Sequence, residues 1–224
     1  MKSIRKDWRL IESLIKNNSR VLDIGCGGGE LIEQLEKNIN AKTHGIELNS
    51  TLVLDAISKG YNVVHGNAEI DLNQYSDQSF DYVILSQTLQ AMMKPKEILS
   101  DLLRIGSKAI VSFPNFGYWK IRLQLLLSGK MPVTEGLPFT WHDTPNIHFF
   151  TIKDFQNLCK DMNIIIEQSI GLTSKGKQII INDNFNTANL LTHEAIFLLS
   201  YKTFEPIQIK TSNKTFAKKS LVAR

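Results

Sequence analysis

Residues 21–32 read VLDIGCGGGELI, an apolar run that breaks into four glycines between positions 25 and 29 before an acidic residue opens the next pattern. A strand that turns so abruptly into a helix, over backbone without Cβ atoms, leaves a bare strand end that a ligand can approach closely. The sequence around it alternates in period. Strands fit Arg20–Ile24, Thr43–Glu47, Asn62–His65, Asp81–Ser86 and Lys108–Phe113, separated by helical patterns at 6–16, from Gly29 onward, at 51–58 and at 95–104. Gly60 stops the third of these helices. Such alternation implies right-handed crossovers, hence an α/β fold with a mostly parallel sheet and helices on both faces.

The last third changes character. Thr151 to Asp154 has the form of a capping box opening a helix near 152–162. Two apolar runs, 164–170 and 194–201, read as an antiparallel hairpin closing the sheet edge, with a polar loop between them.

The glycine spacing constrains the ligand. Gly25-x-Gly27-x-Gly29 departs from the G-x-G-x-x-G of dinucleotide folds, because Glu30 stands where the last glycine would fall. A carboxylate in the first helical turn suits the helix dipole but repels a phosphate, which disfavours a dinucleotide oxidoreductase. Glu47 ends the second strand, 22 residues after Gly25, where a carboxylate can accept hydrogen bonds from both hydroxyls of a ribose. Asp23 lies inside the first strand, where a charge is costly unless paired; it fixes the loop amides or stays near a cationic ligand group. A ribose, no phosphate and a positive charge together describe S-adenosylmethionine.

Those residues carry a family resemblance. VLDIGCGGGELI resembles the first motif of class I S-adenosylmethionine-dependent methyltransferases, which implies a Rossmann-like sheet of seven strands with the last antiparallel. By that resemblance the cofactor pocket takes in Asp23, Gly25, Cys26, Gly27, Gly29, Glu47, Leu48, Asn67, Ala68, Ser86 and Gln87. Asn67 stands where relatives often have an Asp that bonds the adenine amino group, and its carbonyl can accept the same bond. A narrower resemblance rests on FDYVILSQTLQAM (80–92), SFPNFGYWKIRLQLLLSGKMPVT (112–134) and WHDTPNIHFFTIKDF (141–155). These look like the MetW family of methionine biosynthesis, which implies a partnership with a homoserine O-acyltransferase of MetX type. The fold then serves as an accessory or sensing subunit, or alternatively as a methyltransferase acting on a small molecule.

Methyl transfer from a sulfonium mainly requires alignment, plus a general base when the acceptor must lose a proton. Acceptor-side candidates are Gln87, Gln90, Asn115, Tyr118, His142, Asp143 and His148, with His142 beside Asp143 as a possible oriented base. For each of them a loop hydrogen bond or a satisfied, partly buried His is the simpler reading. The insert 113–150 reads as a lid or partner surface within a single domain 1–202. Its Phe116, Trp119, Leu123, Leu126 and Leu127 form a helical stripe explained most simply by core packing.

Charge bears on partners. The chain has 26 basic and 22 acidic residues, and five basic against one acidic fall in 203–224, so the remainder balances. That tail is short and polar and reads as a flexible extension, without nucleic-acid contact. Cys26 and Cys159 are far apart and read as structural thiols, with no metal site suggested. No run reaches the roughly 18 apolar residues of a membrane span, and the first residues lack the apolar block of a secretory signal. A cytoplasmic protein free of membrane contact is expected.

Overall fold

A computed structural model describes residues 5–134, 136–181 and 184–201. The basic tail expected at 203–224 lies outside them. In chain order the elements are α1 (Lys6–Ser13), β1 (Arg20–Ile24), α2 (Glu30–Ile39), β2 (Lys42–Glu47), α3 (Ser50–Ser58), β3 (Val63–His65), α4 (Ala68–Asp71), β4 (Phe80–Ser86), α5 (Pro95–Ile105), β5 (Gly106–Pro114), α6 (Trp119–Ser128), α7 (Ile152–Asp161), β6 (Ile164–Leu172), β7 (Gln178–Ile180), α8 (Phe185–Leu191) and β8 (Glu194–Tyr201). The strands form one sheet in the order β3-β2-β1-β4-β5-β8-β6-β7. The pairs among β1 to β5 are parallel, and β8 runs antiparallel to both β5 and β6.

Strand order reverses between β1 and β4, the place where open α/β sheets bind ligands beyond their carboxyl ends. One sheet face packs on α5 and α7, through Leu22, Ile24, Val83, Leu85, Val111, Phe113 and Phe197. The other packs on α1 and α2, through Val21, Tyr82, Ile84, Ile110, Ile196 and Leu198. The alternation of these sets along each strand is the period-2 signature of a sheet buried on both faces. Among the described residues, no helix is long and apolar enough to cross a membrane.

Local chemistry sets the ends of the elements. Asn49 caps α3 by accepting from Thr51 and Leu52, and Gly60, with φ +91°, ends its exit. Thr151 and Asp154 form both halves of the capping box on α7. Three expectations are corrected. The first helix ends at Ser13 rather than residue 16. The polar loop after β6 contains both an edge strand, β7, and the helix α8, so the sheet has eight strands rather than seven. Finally, α6 buries only Ile121, leaving Leu126 and Leu127 80% and 76% exposed. Its leucines occupy every side of the helix, so most of them cannot reach the core, and core packing does not explain the stripe.

Candidate functional site

The glycine loop hangs on β2. Gly25 and Cys26 both donate backbone N–H bonds to the Ile46 carbonyl, at 2.8 and 3.3 Å. Gly29 has φ +83° and lies so close to the Tyr61 ring that a Cβ would stand 2.7 Å from it, so this glycine serves packing. Gly27 also has positive φ, +56°, but a methyl group there would meet nothing nearer than the Glu30 carboxylate, 3.9 Å away. Its missing side chain therefore faces open space. Glu47 turns into the loop and accepts from Gly27 N at 2.9 Å and from Asn49 N at 2.8 Å. A carboxylate has about four lone-pair positions, so acceptor capacity is left for further donors.

Further residues expected in the pocket lie on the neighbouring segments after β2 and β3. Leu48, next to Glu47, is 64% exposed. Asn67 caps α4, with its carbonyl accepting from Glu69 N at 3.0 Å, and Ala68 is the first residue of that helix. Cys26 points inward among Ile32, Val53, Ala56 and Val63, and burial pushes its thiol up to about 12. Both cysteines are buried and free, as their reading as structural thiols implies.

Sequence reasoning missed a cluster of carboxyl groups beside this loop. Asp23 alternates with Val21, Ser86 with Ile84, Ser112 with Ile110, and Glu194 with Ile196, so all four turn to the α1 face of the sheet. The strand registers bring them to one edge, since Ser86 pairs with Ser112 and Pro114 with Glu194. From above comes Asp7, on the same stripe of α1 as Leu10 and Ile11, and it is itself buried. Ser86 Oγ donates to Asp7 at 3.2 Å and lies 3.1 Å from Ser112 Oγ. Gln87 takes a left-handed backbone, φ +56°, and its Nε2 donates to Glu194 Oε1 at 2.6 Å.

The electrostatics follow from this burial. Burial pushes the Asp23 carboxyl up to about 7, with Arg5 opposing the rise and Glu47 adding to it. Burial also pushes Glu194 up to about 8; the Asp7 carboxylate adds to the rise, and Arg5 and Gln87 oppose it. The signal for this cluster was present in the sequence, in the parity of polar residues within the apolar strands and in an acidic residue on the apolar stripe of α1.

The acceptor-side candidates separate. Asn115 is fully buried, and its amide is saturated by backbone: Nδ2 donates to the carbonyls of Asn189 and Thr192, and Oδ1 accepts from Gly117 N and Ile152 N. It ties the start of the insert to the end of α8 and has no bond left for a substrate. Tyr118 is buried, with its hydroxyl 3.4 Å from Ser174 Oγ. His142 and Asp143 do pair, at 3.3 Å, but on the exposed surface of the insert. His148 is drawn to the β4 end instead, where its backbone N–H donates to the Gln90 carbonyl at 2.9 Å. Its buried Nε2 and the buried Gln90 Oε1 have no hydrogen-bond partner among the described residues.

Comparison with known proteins gives this arrangement a context. The family model described as "Methionine biosynthesis protein MetW" matches residues 5–199. A protein of Rhodopirellula baltica named "Bifunctional methionine biosynthesis protein MetXA/MetW" is 33% identical over 177 residues, covering 75% of this chain and 28% of that protein. A "Ubiquinone biosynthesis O-methyltransferase" of Nitrosococcus oceani is 31% identical over 104 residues, 43% of this chain and 44% of the relative. The chain spans less than half the length of the curated relatives it matches. Among solved structures, a Thermotoga maritima "SAM-dependent methyltransferase, possible histamine N-methyltransferase" superposes with a TM-score of 0.64, at 16% identity over 88% of each chain. A SAM-dependent methyltransferase from Archaeoglobus fulgidus gives 0.59, at 18% identity over 86% of this chain and 93% of the other. The fold is the class I methyltransferase fold, with one edge strand beyond the seven expected.

Proposed function

This chain belongs to the MetW family of methionine biosynthesis proteins, and from that premise we propose that it binds S-adenosylmethionine and acts with a MetX-type homoserine O-acyltransferase as an accessory or regulatory subunit. In this reading Gly25, Cys26, Gly27 and Gly29 present backbone to the methionine and adenosine portions. Glu47 takes the ribose hydroxyls on its remaining lone pairs. Leu48, Asn67 and Ala68 border the adenine, while Asp23, Ser86 and Gln87 face the charged end. The open space in front of Gly27 and the carboxyl-rich edge beside it support a phosphate-free, cationic nucleoside.

The observation that carries the partnership is the Rhodopirellula relative, whose name joins MetXA and MetW in one polypeptide. Fusion holds two modules at high effective concentration, which matters when they work in contact. We assign the insert 113–150, with the exposed leucines of α6, to the partner or lid surface.

Methyl transfer to a small molecule is the second reading, favoured by the methyltransferase names of other relatives and by the unpartnered imidazole nitrogen of His148. There the bound cofactor would supply an electrophilic methyl group, and this chain would align the acceptor.

One experiment separates the two readings. Homoserine acyltransferase activity is measured with and without this protein, titrating S-adenosylmethionine and following S-adenosylhomocysteine in the same tubes. An acyltransferase rate that depends on the protein, with no S-adenosylhomocysteine formed, is the expected result. An indifferent rate together with methylation of an acceptor from cell extract overturns the accessory role in favour of the enzyme.

A further inference from the structure

Arg5 stands just before α1, and its guanidinium reaches down into the carboxyl cluster. Its Nη2 donates to Ser86 Oγ at 2.9 Å across 81 residues of sequence and pairs with the Asp7 carboxylate, while Nε donates to Asp7 Oδ1 at 3.1 Å. Its charge also acts on Asp23 and Glu194. One guanidinium thus pairs with the buried Asp7 carboxylate, acts through its charge on Asp23 and Glu194, and holds a serine of the proposed cofactor pocket.

The two sides of this contact are built differently. The Asp7 side chain is 3% exposed and fixed by the packing of α1, whereas the Arg5 side chain is 42% exposed and reaches its partners from the solvent side. The guanidinium can therefore leave without opening a cavity in the core. Asp7 cannot leave without moving α1 off the sheet.

Resting on the S-adenosylmethionine reading above, we propose that Arg5 is a built-in counter-ion occupying the subsite for the ligand's cationic centre, and that binding displaces its guanidinium from Ser86 and Asp7. A sulfonium or ammonium entering this edge meets the same carboxyl groups that hold Arg5. Two cations on one small anionic cluster repel, so ligand and guanidinium alternate there. Occupancy of the pocket is thereby coupled to release of Arg5 at the start of α1.

The test is a calorimetric titration of S-adenosylmethionine and S-adenosylhomocysteine into the wild type, Arg5→Gln and Arg5→Lys. If the docked guanidinium outnumbers the free one by about ten to one, Arg5→Gln binds about tenfold more tightly than wild type. Arg5→Lys keeps a cation on a similar stem and stays near wild type. A gain larger for the sulfonium ligand than for its thioether assigns the subsite to the sulfonium, and an equal gain assigns it to the ammonium both ligands carry.

A second readout leaves Arg5 in place. Its Cζ lies 5.2 Å from the centroid of the Trp8 ring, so in a Trp119→Phe/Trp141→Phe background ligand addition should shift Trp8 emission. Unchanged or weaker binding by Arg5→Gln, or silent Trp8 emission at saturating ligand, overturns the displacement. Binding that is alike in all variants removes the displacement alone, while no binding by any of them removes the S-adenosylmethionine reading as well.

Discussion

Glu194→Gln should reverse part of the pH dependence of this protein's stability. The Glu194 carboxyl has an ordinary value of 4.5 and is raised to about 8 in the folded chain, first by burial and then by the Asp7 carboxylate. Between those values the folded state holds a proton that the unfolded state has released, so stability falls as pH rises through that window. Below about pH 4.5 both states are protonated and nothing is lost; above about 8 both are ionised and the loss is complete. At about 1.4 kcal/mol per pH unit the full loss is roughly 5 kcal/mol, a large share of an ordinary domain's stability. Glutamine is neutral throughout, keeps an oxygen for Gln87 Nε2, and offers an amide N–H to Asp7. Urea unfolding at pH 5, 6.5 and 8 should therefore show the variant gaining on the wild type by several kcal/mol across the series. Parallel curves would refute the claim that Glu194 is held protonated.

Glu47→Ala removes a charged acceptor from the ribose position and should weaken S-adenosylmethionine binding by about 10- to 100-fold in a calorimetric titration, the scale of a hydrogen bond to a charged group. Asn115→Ala leaves two buried N–H groups and two buried carbonyls without partners and should cost about 4 kcal/mol or more in urea unfolding, whatever its effect on binding. Leu126→Lys, on an exposed side chain, should change stability by no more than about 0.5 kcal/mol yet weaken co-purification with the acyltransferase.

Much of the fold was legible because local and long-range signals agree. The alternating periods located β1 and β8 to the residue, and Gly60 and the Thr151–Asp154 box marked helix ends by mechanisms confined to a few residues. Less was legible where one signal had to stand alone. A three-residue edge strand such as β7 is too short to show alternation, and α8 is opened by an Asn184 cap inside a stretch that reads as polar loop. The stripe on α6 was visible, but periodicity does not reveal whether a neighbouring surface exists to receive it. For Asn115 the plain structural role held, though the sequence could not show why. A buried amide and a substrate-binding amide look the same in sequence, and only the four backbone groups around Asn115 distinguish them.

The carboxyl cluster and the insert, far apart in sequence, are joined by a continuous chain of hydrogen bonds. Arg5 and Asp7 meet Ser86, Ser86 meets Ser112, and Ser112 Oγ accepts from Gln87 N at 3.2 Å. The left-handed backbone of Gln87 turns its carbonyl to Gln90 Nε2, at 2.7 Å, and the Gln90 carbonyl accepts the backbone N–H groups of Ile147 and His148. A chain of fixed polar contacts from the proposed charged end of the pocket to the insert is what a subunit reporting ligand occupancy to a partner would require. Contiguity alone does not establish coupling, and amide hydrogen exchange tests it directly. Ligand binding should change protection at Ile147 and His148, and Gln90→Ala, which cuts the link from Gln87 while sparing the glycine loop, should abolish that change with affinity retained. Protection at the two amides that ignores the ligand, or that responds equally in Gln90→Ala, would show that the insert does not read the pocket by this route.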